Sequence, residues 1–277
     1  MNRFIRTFCC ALTALTATVV SATAPALATT TAAKAPTAKE LTVSDLTPTQ
    51  MLAHARTMFP RETFDIEGTL ETAEQRGLNA TERPYKLTLN WSAGTPSADC
   101  QLFAKEGDTE PIQHALLSRP KNKPTLTLIA PDGTRTENVP LSLPVGESDL
   151  TWTDLAFDYL WWPDVRRLSE ADIEAAHLST RVSGRNCILL LATSPASEPG
   201  LSAIRIWIDR STGALLQTQQ LDGEGRPTRL LWVQRVGREE GRWVPRLFRI
   251  RRAGMRRETS LYVDSIRSAH FSTGKDR

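Results

Sequence analysis

The sequence predicts a mainly β protein, a single large antiparallel curved sheet (an unclosed β-barrel) with a few helices covering its concave face. Apolar and polar residues alternate with a period of two through about ten short segments, which is typical of strands with one buried face. Short turn sequences rich in Gly and Asp join many of these segments. Helical periodicity occurs in only two or three places and does not alternate with strands, so the pattern excludes a parallel βαβ sheet.

The first 28 residues have the layout of a secretory signal peptide. Arg3 and Arg6 precede an apolar stretch from Phe8 to Val20, and Ala26-Leu27-Ala28 forms a small-x-small cleavage site. The apolar stretch is shorter than the ~20 residues that a membrane-spanning helix needs. We therefore expect export, with cleavage near Ala28.

The rest of the chain divides into a flexible leader at 29–44, a domain at 45–270 and a disordered tail at 271–277. The leader is rich in Thr, Ala, Lys and Pro and has no apolar periodicity. Length alone is compatible with one large β domain or two small ones. The continuous run of strands favours one.

Cysteine and charge patterns leave several alternatives open. Cleavage leaves Cys100 and Cys187, which in an oxidising compartment form either one disulfide or two buried free thiols. The segment Arg205–Arg277 carries 16 Lys and Arg against 8 Asp and Glu. Such a segment meets anionic lipid headgroups or an acidic partner, or its arginines simply solvate strand faces. No nucleic-acid-binding motif is present, so we expect no nucleic-acid partner.

The first element is an amphipathic helix at 48–59. Thr47 is a suitable N-cap, Pro48 suits the first helical position, and Gln50 occupies the capping-box position. Pro60 ends the pattern. The apolar residues at helical spacing are Met51, Leu52, Ala55, Met58 and Phe59.

Four strands are predicted in the N-terminal half. Clear alternation occurs in TFDIEGTLE at 63–71 and YKLTLNW at 85–91. Two further strands are predicted at 99–105 and 124–130. Residues 106–123 and 134–147 give no clear pattern.

A second helix is predicted at 151–162. On a helical wheel, Thr151, Asp154 and Asp158 form a narrow polar edge, and Pro163 ends the element. A third, short helical piece is predicted at 169–173. The apolar face of the second helix consists of Trp152, Leu155, Ala156, Phe157, Tyr159, Leu160, Trp161 and Trp162.

The C-terminal part predicts a meander of six strands, at 186–193, 203–209, 214–222, 228–237, 242–252 and 257–267. One face carries Ile204, Ile206, Ile208, Leu231, Val233, Val244, Phe248, Ile250, Leu261 and Val263. The opposite face carries Arg205, Trp207, Asp209, Trp232, Gln234, Trp243, Arg249 and Arg251. The two longer helices must cover the apolar face. Tight coverage makes it a core, and loose coverage leaves a hydrophobic cavity with the helices as a lid.

Catalytic and metal-binding motifs are missing from the sequence. His54, His114, His177 and His270 are far apart, and none lies in a metal-ligand pattern. No nucleophile-elbow motif is present. The sequence therefore predicts a non-enzyme without cofactor, metal or catalytic residues, although triads can assemble from distant segments.

Four stretches resemble the outer-membrane lipoprotein-sorting proteins of the LolA/LolB-like superfamily. They are SDLTWTDLAFDYLWWPD at 148–164, IWIDRSTGALLQ at 206–217, LDGEGRP at 221–227 and GRWVPRLFRIR at 241–251. The order of elements is also similar. The resemblance covers about 149–267 well and the N-terminal half only in pattern. It implies a half-barrel whose hydrophobic cavity takes acyl chains of lipoprotein or phospholipid, with an inner- or outer-membrane transport partner.

Three functions follow as hypotheses. The first is a monomeric, periplasmic lipid or lipoprotein carrier whose cavity is lined by the apolar face and covered by both helices. The second is a lipid-acting hydrolase using the same cavity, and the third is a structural or adaptor domain without a cavity. Under the first, replacing Trp161 and Trp162 with Ala impairs lipid retention more than secondary structure.

Overall fold

A computed structural model describes residues 42–58, 63–74, 79–90, 96–120, 123–198, 200–239 and 242–268. The predicted signal peptide, the leader up to residue 41, Phe59, His270 and the tail at 271–277 lie outside the described residues. Within the described residues there are fourteen strands and three α-helices.

The helices are α1 (Pro48–Thr57), α2 (Trp152–Leu155) and α3 (Glu170–Ala175), with 3-10 turns at Val43–Asp45 and Asp158–Trp161. The strands are β1 (Thr63–Glu74), β2 (Thr81–Asn90), β3 (Ser97–Leu102), β4 (Gln113–Ser118), β5 (Thr125–Ile129), β6 (Arg135–Thr136), β7 (Val165–Arg167), β8 (Arg181–Val182), β9 (Arg185–Glu198), β10 (Leu201–Asp209), β11 (Leu215–Leu221), β12 (Pro227–Glu239), β13 (Arg242–Arg252) and β14 (Arg257–Ser268).

All the described strands belong to one antiparallel sheet that does not close. Its order is β6-β5-β4-β3-β2-β1-β14-β13-β12-β11-β10-β9-β7, and β8 pairs with β9. The first and last strands are neighbours in its middle, from Phe64 opposite Ser268 to Glu74 opposite Arg257. An N-terminal and a C-terminal meander are thus joined along β1 and β14. The predicted unclosed antiparallel barrel is confirmed.

Most predicted elements are present close to their predicted bounds, and the differences are in short or irregular segments. Helix α1 has the predicted capping box, in which the Thr47 side chain accepts from the Gln50 amide and the Gln50 side chain accepts from the Thr47 amide. Strand β4 lies within 106–123, where no strand was predicted, because its apolar residues Ala115, Leu116 and Leu117 are consecutive and give no period-two alternation.

The prediction of one continuous helix at 151–162 is wrong. Helix α2 ends at Leu155, Phe157 adopts a left-handed backbone with φ 48°, and a 3-10 turn follows. The polar edge of the predicted helix does not face solvent, because Thr151, Asp154 and Asp158 are all buried. A straight helix would leave one edge facing water, whereas the break at Phe157 lets residues on every side of this segment be buried. We call residues 149–162 the plug.

The main core joins the plug to both flanks of the sheet. Trp152, Tyr159 and Leu160 of the plug belong to the same buried cluster as Leu126 of β5 and Ile188 of β9. Burial of this apolar surface contributes about 25 cal/mol per Å².

A second, smaller cluster lies on the outer face of β9 and β10. Trp207 was predicted on a solvent-exposed face but is only 2% exposed, and its indole Nε1 donates to the Ser179 carbonyl at 2.8 Å. The segment carrying Leu168 and Val182 packs over it. Asp209, predicted on the same face, is also buried. The outer face is therefore covered here because the chain between β7 and β9 folds back across it.

Candidate functional site

An apolar cavity of about 400 Å³ lies against the central strands of the sheet. Apart from Asp154, Arg185 and Thr212, its described lining residues are apolar or aromatic. They are Met58, Phe64, Ile66, Tyr85, Leu87, Leu89, Leu150, Leu155, Phe157, Ala214, Leu215, Leu216, Leu231, Val233, Val236, Val244, Pro245, Phe248, Leu261, Val263 and Ile266.

The strand registers bring these side chains together. Phe64 lies opposite Leu89, and Ile66 lies opposite both Leu87 on β2 and Ile266 on β14. Residues directly opposite in an antiparallel pair project from the same face. The period-two alternation of each strand thus becomes a continuous apolar wall.

Gly68 lies opposite Tyr85, at a position that has no room for a side chain. The Tyr85 hydroxyl donates to the Tyr262 carbonyl at 2.9 Å. A Cβ on Gly68 would overlap the Tyr262 carbonyl oxygen and lie 2.9 Å from the Tyr85 ring, so only glycine leaves room for this arrangement. Burial raises the pKa of the Tyr85 phenol, which keeps the hydroxyl protonated as a donor.

The plug covers the cavity from the opposite side with Leu150, Leu155 and Phe157. The Phe157 ring also contacts Phe248 of β13, with ring centroids 5.9 Å apart. The plug therefore contributes both wall and support to the cavity.

Three buried aspartates fasten the plug to different parts of the sheet. Asp149 pairs with Arg257 of β14 at 3.0 Å, and Asp154 pairs with Arg229 of β12 at 2.9 Å. Asp158 pairs with Arg119, which directly follows β4.

The Trp162 indole completes this polar set by donating to the Asp158 carboxylate at 2.6 Å. Burial lowers the pKa of Arg119 to about 10, with a further contribution from nearby Arg56. The guanidinium is still protonated at neutral pH and keeps the pair charged. Removing one partner of a buried pair costs about 3–5 kcal/mol. The plug is thus held in place from three directions.

The cavity opens to solvent beside the end of α1. Met58 is 43% exposed and Val236 is 51% exposed, although both line the cavity. Arg185 and Thr212 are the exposed polar lining residues. We call the region around Met58, Thr212 and Val236 the mouth.

Helix α1 rests on the turn between β10 and β11. His54 Nε2 lies 3.2 Å from the Thr212 carbonyl oxygen. Gly213, with φ +75°, lies against the His54 ring, and any side chain there would overlap the ring. The same turn is organised by Asp209, whose carboxylate accepts from the Thr212 amide at 2.7 Å.

The structure divides the predicted cavity residues into two groups. Six line the cavity: Leu231, Val233, Val244, Phe248, Leu261 and Val263. The other four, Ile204, Ile206, Ile208 and Ile250, are almost completely buried in the core cluster and are absent from the described lining. They share this cluster with Trp152, Tyr159 and Leu160, so the plug fills the space at that end of the sheet.

The described residues that were predicted to form the lid fall into three groups. Met58, Leu155 and Phe157 line the cavity. Trp161 is half-buried between two guanidinium groups, with Arg56 Cζ 5.5 Å and Arg119 Cζ 5.2 Å from its ring centroid. Those in the core are Met51, Leu52, Ala55, Trp152, Tyr159, Leu160 and Trp162.

Sequence reasoning missed the contribution of the N-terminal strands. Phe64, Ile66, Leu87 and Leu89 were recognised as alternating, but nothing placed them in the cavity. The missing information was the pairing of β1 with β14.

The two cysteines among the described residues are both buried free thiols, Cys100 on β3 and Cys187 on β9. Of the two alternatives, the structure has the buried free thiols. Burial raises the pKa of Cys100 to about 12 and that of Cys187 to about 11. Thiols with such pKa values are poor nucleophiles at neutral pH.

None of the three described histidines is among the cavity-lining residues. His114 Nε2 lies 3.0 Å from an Asp99 carboxylate oxygen, but these residues flank the buried Ala115 and Cys100 and project from the opposite face of the sheet. In the described part of the chain, no three His, Cys, Asp or Glu residues are grouped as metal ligands would be.

The unclosed antiparallel barrel with a helical insertion defines the fold to be compared with known structures. No family model matches the chain, and no curated relative matches it. Several solved structures are similar to it in fold. A putative outer membrane lipoprotein-sorting protein domain from Vibrio parahaemolyticus has a TM-score of 0.67 at 12% identity, over 83% of this chain and 94% of that one.

Two further solved structures are also similar to this chain in fold. A DUF1329 family protein from Desulfovibrio piger has a TM-score of 0.65 at 14% identity, over 80% of this chain and 92% of that one. A LolA superfamily protein from Nitrosomonas europaea has a TM-score of 0.63 at 14% identity, over 80% of this chain and 94% of that one. These likenesses confirm the predicted LolA-like fold.

Proposed function

We propose that the protein is a periplasmic carrier that holds the acyl chains of a lipid or lipoprotein in its cavity. The observation that carries this proposal is an apolar cavity of about 400 Å³ with exposed apolar side chains at its mouth. Cavities of about 300–1,000 Å³ are typical of small-ligand sites. An acyl chain entering such a cavity gains about 0.8 kcal/mol for each methylene removed from water.

The distribution of charge in the lining supports an aliphatic ligand. Of the three polar lining residues, Asp154 is paired with Arg229 and Arg185 is paired with Asp209. The lining therefore presents little uncompensated charge to a ligand. Two of its three polar residues, Arg185 and Thr212, are exposed at the mouth. That arrangement suits a chain inside and a polar group at the opening.

Two of the sequence-based alternatives receive less support. A structural or adaptor domain would have no cavity beneath the plug, yet Leu155 and Phe157 line one. A hydrolase would need a nucleophile and base in the cavity, and the described lining contains no histidine. The name of the Vibrio structure, together with the signal-peptide layout, favours an exported carrier of lipoprotein or lipid cargo.

The first test is to produce the full chain with its own signal sequence in a bacterial periplasm and to analyse bound lipid by mass spectrometry. The purified protein is then titrated with fluorescent fatty acids of increasing chain length. We expect affinity to rise by up to about fourfold per methylene until the cavity is full. A lipid-free protein that binds none of the probes would overturn the proposal.

A matched pair of substitutions locates the binding. Met58 at the mouth and Met255 in the β13–β14 turn are similarly exposed, at 43% and 46%. Only Met58 belongs to the described cavity lining. We expect Met58→Glu to weaken fatty-acid binding at least fivefold, and Met255→Glu to leave it unchanged. Equal effects of the two substitutions would place the ligand elsewhere.

A further inference from the structure

We propose that the mouth of the cavity is a docking surface for an anionic lipid bilayer. The surface is formed by the mouth end of the β12–β13 hairpin, with Arg235, Val236 and Arg238, and by Met58 across the opening. The inference extends the proposed carrier function, on which it rests, by naming the surface from which cargo enters or leaves.

The β12–β13 hairpin forms one rim of the mouth. Val236 of β12 lies opposite Pro245 of β13, and both residues line the cavity. The strand continues past Val236 to Glu239, so the hairpin extends beyond the opening. Val236 is the most exposed large apolar residue among those described, and Met58 at the end of α1 is also strongly exposed. Two exposed apolar side chains thus flank the entrance to an apolar cavity.

The same rim is basic. Arg235 and Arg238 are exposed on the hairpin, and Arg210 is exposed in the turn beside Thr212. Arg246 pairs with Glu239, the acidic residue at the described end of β12. Over residues 235–246 the sequence has four arginines and two glutamates, so this part of the chain has a net charge of +2. Each arginine near an anionic bilayer surface contributes about 1 kcal/mol of attraction.

Arginine combined with exposed apolar side chains favours a bilayer over an acidic protein. Arginines meet lipid phosphates, while apolar side chains enter the boundary between headgroups and acyl chains. An acidic protein partner would use the arginines but would give Met58 and Val236 no role at the cavity entrance. Docking the mouth on the bilayer also keeps an acyl chain out of water during transfer, because the apolar wall continues to the rim.

The test compares two charge-reversal variants of the full chain. Arg235→Glu with Arg238→Glu changes the mouth, and Arg252→Glu with Arg256→Glu makes the same charge change at the opposite end of β13. All four arginines are exposed. Binding is measured by co-sedimentation with vesicles of phosphatidylcholine alone or mixed with phosphatidylglycerol, at low and high salt. Circular dichroism and urea midpoints establish that both variants fold.

We expect the unmodified protein to bind the anionic vesicles, and to do so more weakly at high salt. The mouth variant should bind at least tenfold more weakly, while the far-end variant changes less than twofold. Equal losses in both variants would show general charge attraction and overturn the proposal. Failure of the unmodified protein to bind anionic vesicles would also overturn it, and would leave an acidic protein as the partner of these arginines.

Fatty-acid titration without vesicles separates this proposal from the carrier function. The mouth variant should keep its affinity for an uncharged fluorescent fatty alcohol within twofold, because Arg235 and Arg238 are not among the described lining residues and their charge does not act on an uncharged head group. A protein that binds vesicles through the mouth but takes up no fatty acid would refute the carrier function and leave the docking surface standing. Fatty-acid uptake without vesicle binding would refute the docking surface and leave the carrier function standing.

Discussion

The Asp154 carboxylate and the Arg229 guanidinium form a buried ion pair, 2.9 Å apart, where the plug meets the sheet. Thr151 completes the arrangement: its hydroxyl donates to Asp154 at 2.9 Å and accepts from Arg229 Nη2 at 2.9 Å. Thr151 is also the N-cap of α2, and its amide donates to Asp154. One carboxylate therefore starts a helix and fixes it to β12, directly beside the cavity.

Replacing Asp154 with Asn should destabilise the protein by about 3–5 kcal/mol, because Arg229 is left buried and unpaired. Urea unfolding gives the free energy of unfolding. The double variant Asp154→Leu with Arg229→Met removes both charges, and we expect it to lose less than Asp154→Asn alone. If the double variant is the less stable of the two, the pair contributes more than its desolvation costs, contrary to this argument.

Trp161 should matter for stability rather than for ligand binding. It stacks between Arg56 and Arg119, and neither Trp161 nor Trp162 is in the described cavity lining. This revises the sequence-based expectation for the pair. We expect Trp161→Ala to destabilise by about 2–4 kcal/mol, with Trp161→Phe losing less because an aromatic face remains. The fatty-acid affinity of the folded variants should stay within twofold of that of the unmodified protein. A larger loss would show that Trp161 contributes to the binding site.

The strands of the C-terminal meander could be predicted because their information is local. Alternation and turn residues place 203–209 and 228–237 within two residues of β10 (Leu201–Asp209) and β12 (Pro227–Glu239). The cavity depends on pairings between distant segments, such as β1 with β14, which no local pattern encodes. The five lining residues of β1 and β2 could therefore not be placed in the cavity from the sequence.

The plug shows a second limit of sequence reasoning. A helical wheel assumes a continuous helix and assigns carboxylates to water, because unpaired charges are rarely buried. Asp154 and Asp158 are buried because Arg229 and Arg119 reach them from distant strands. The left-handed backbone at Phe157 was equally hidden, since bulky residues rarely adopt it. Both errors come from tertiary contacts that override local preference.

Stability should fall at low pH through Asp209. Burial opposes its ionisation, but hydrogen bonds from Arg185, Ser211 and Thr212 outweigh burial, and the pKa of this carboxyl lies well below its usual range. A lowered folded-state pKa stabilises the fold above the unfolded value of about 3.9, and this contribution is lost as pH falls below it.

We expect Asp209→Asn to be less stable than the unmodified protein at pH 7. The difference between them should shrink as pH falls below about 4, because the unmodified protein then loses the contribution that the variant already lacks. Urea unfolding of both proteins at several pH values measures this difference in the free energy of unfolding. A difference that stays constant down to pH 2 would show that ionisation of Asp209 is not the cause.

Cys100 and Cys187 should resist thiol reagents in the native protein. Burial raises the pKa of both thiols, to about 12 and about 11, so little thiolate exists at pH 8. We expect two thiols to react with a chromogenic disulfide reagent in urea and almost none without it. Reductant should leave the thermal midpoint unchanged. A midpoint that falls with reductant would reveal a disulfide.

Gly68→Ala tests the close contact within the cavity wall. An added Cβ would overlap the Tyr262 carbonyl and press on the Tyr85 ring, so β1 and β14 must separate or the ring must move. Overpacking of this kind costs about 1–3 kcal/mol, and here the lost Tyr85 hydrogen bond adds about 1 kcal/mol. Gly223→Ala is the control, because a Cβ there meets no atom within 4 Å. Since Tyr85 lines the cavity, Gly68→Ala should also weaken fatty-acid binding, whereas Gly223→Ala should change neither binding nor stability. Equal stability of the two variants would mean that the strands accommodate a side chain at position 68, and that glycine is not required there.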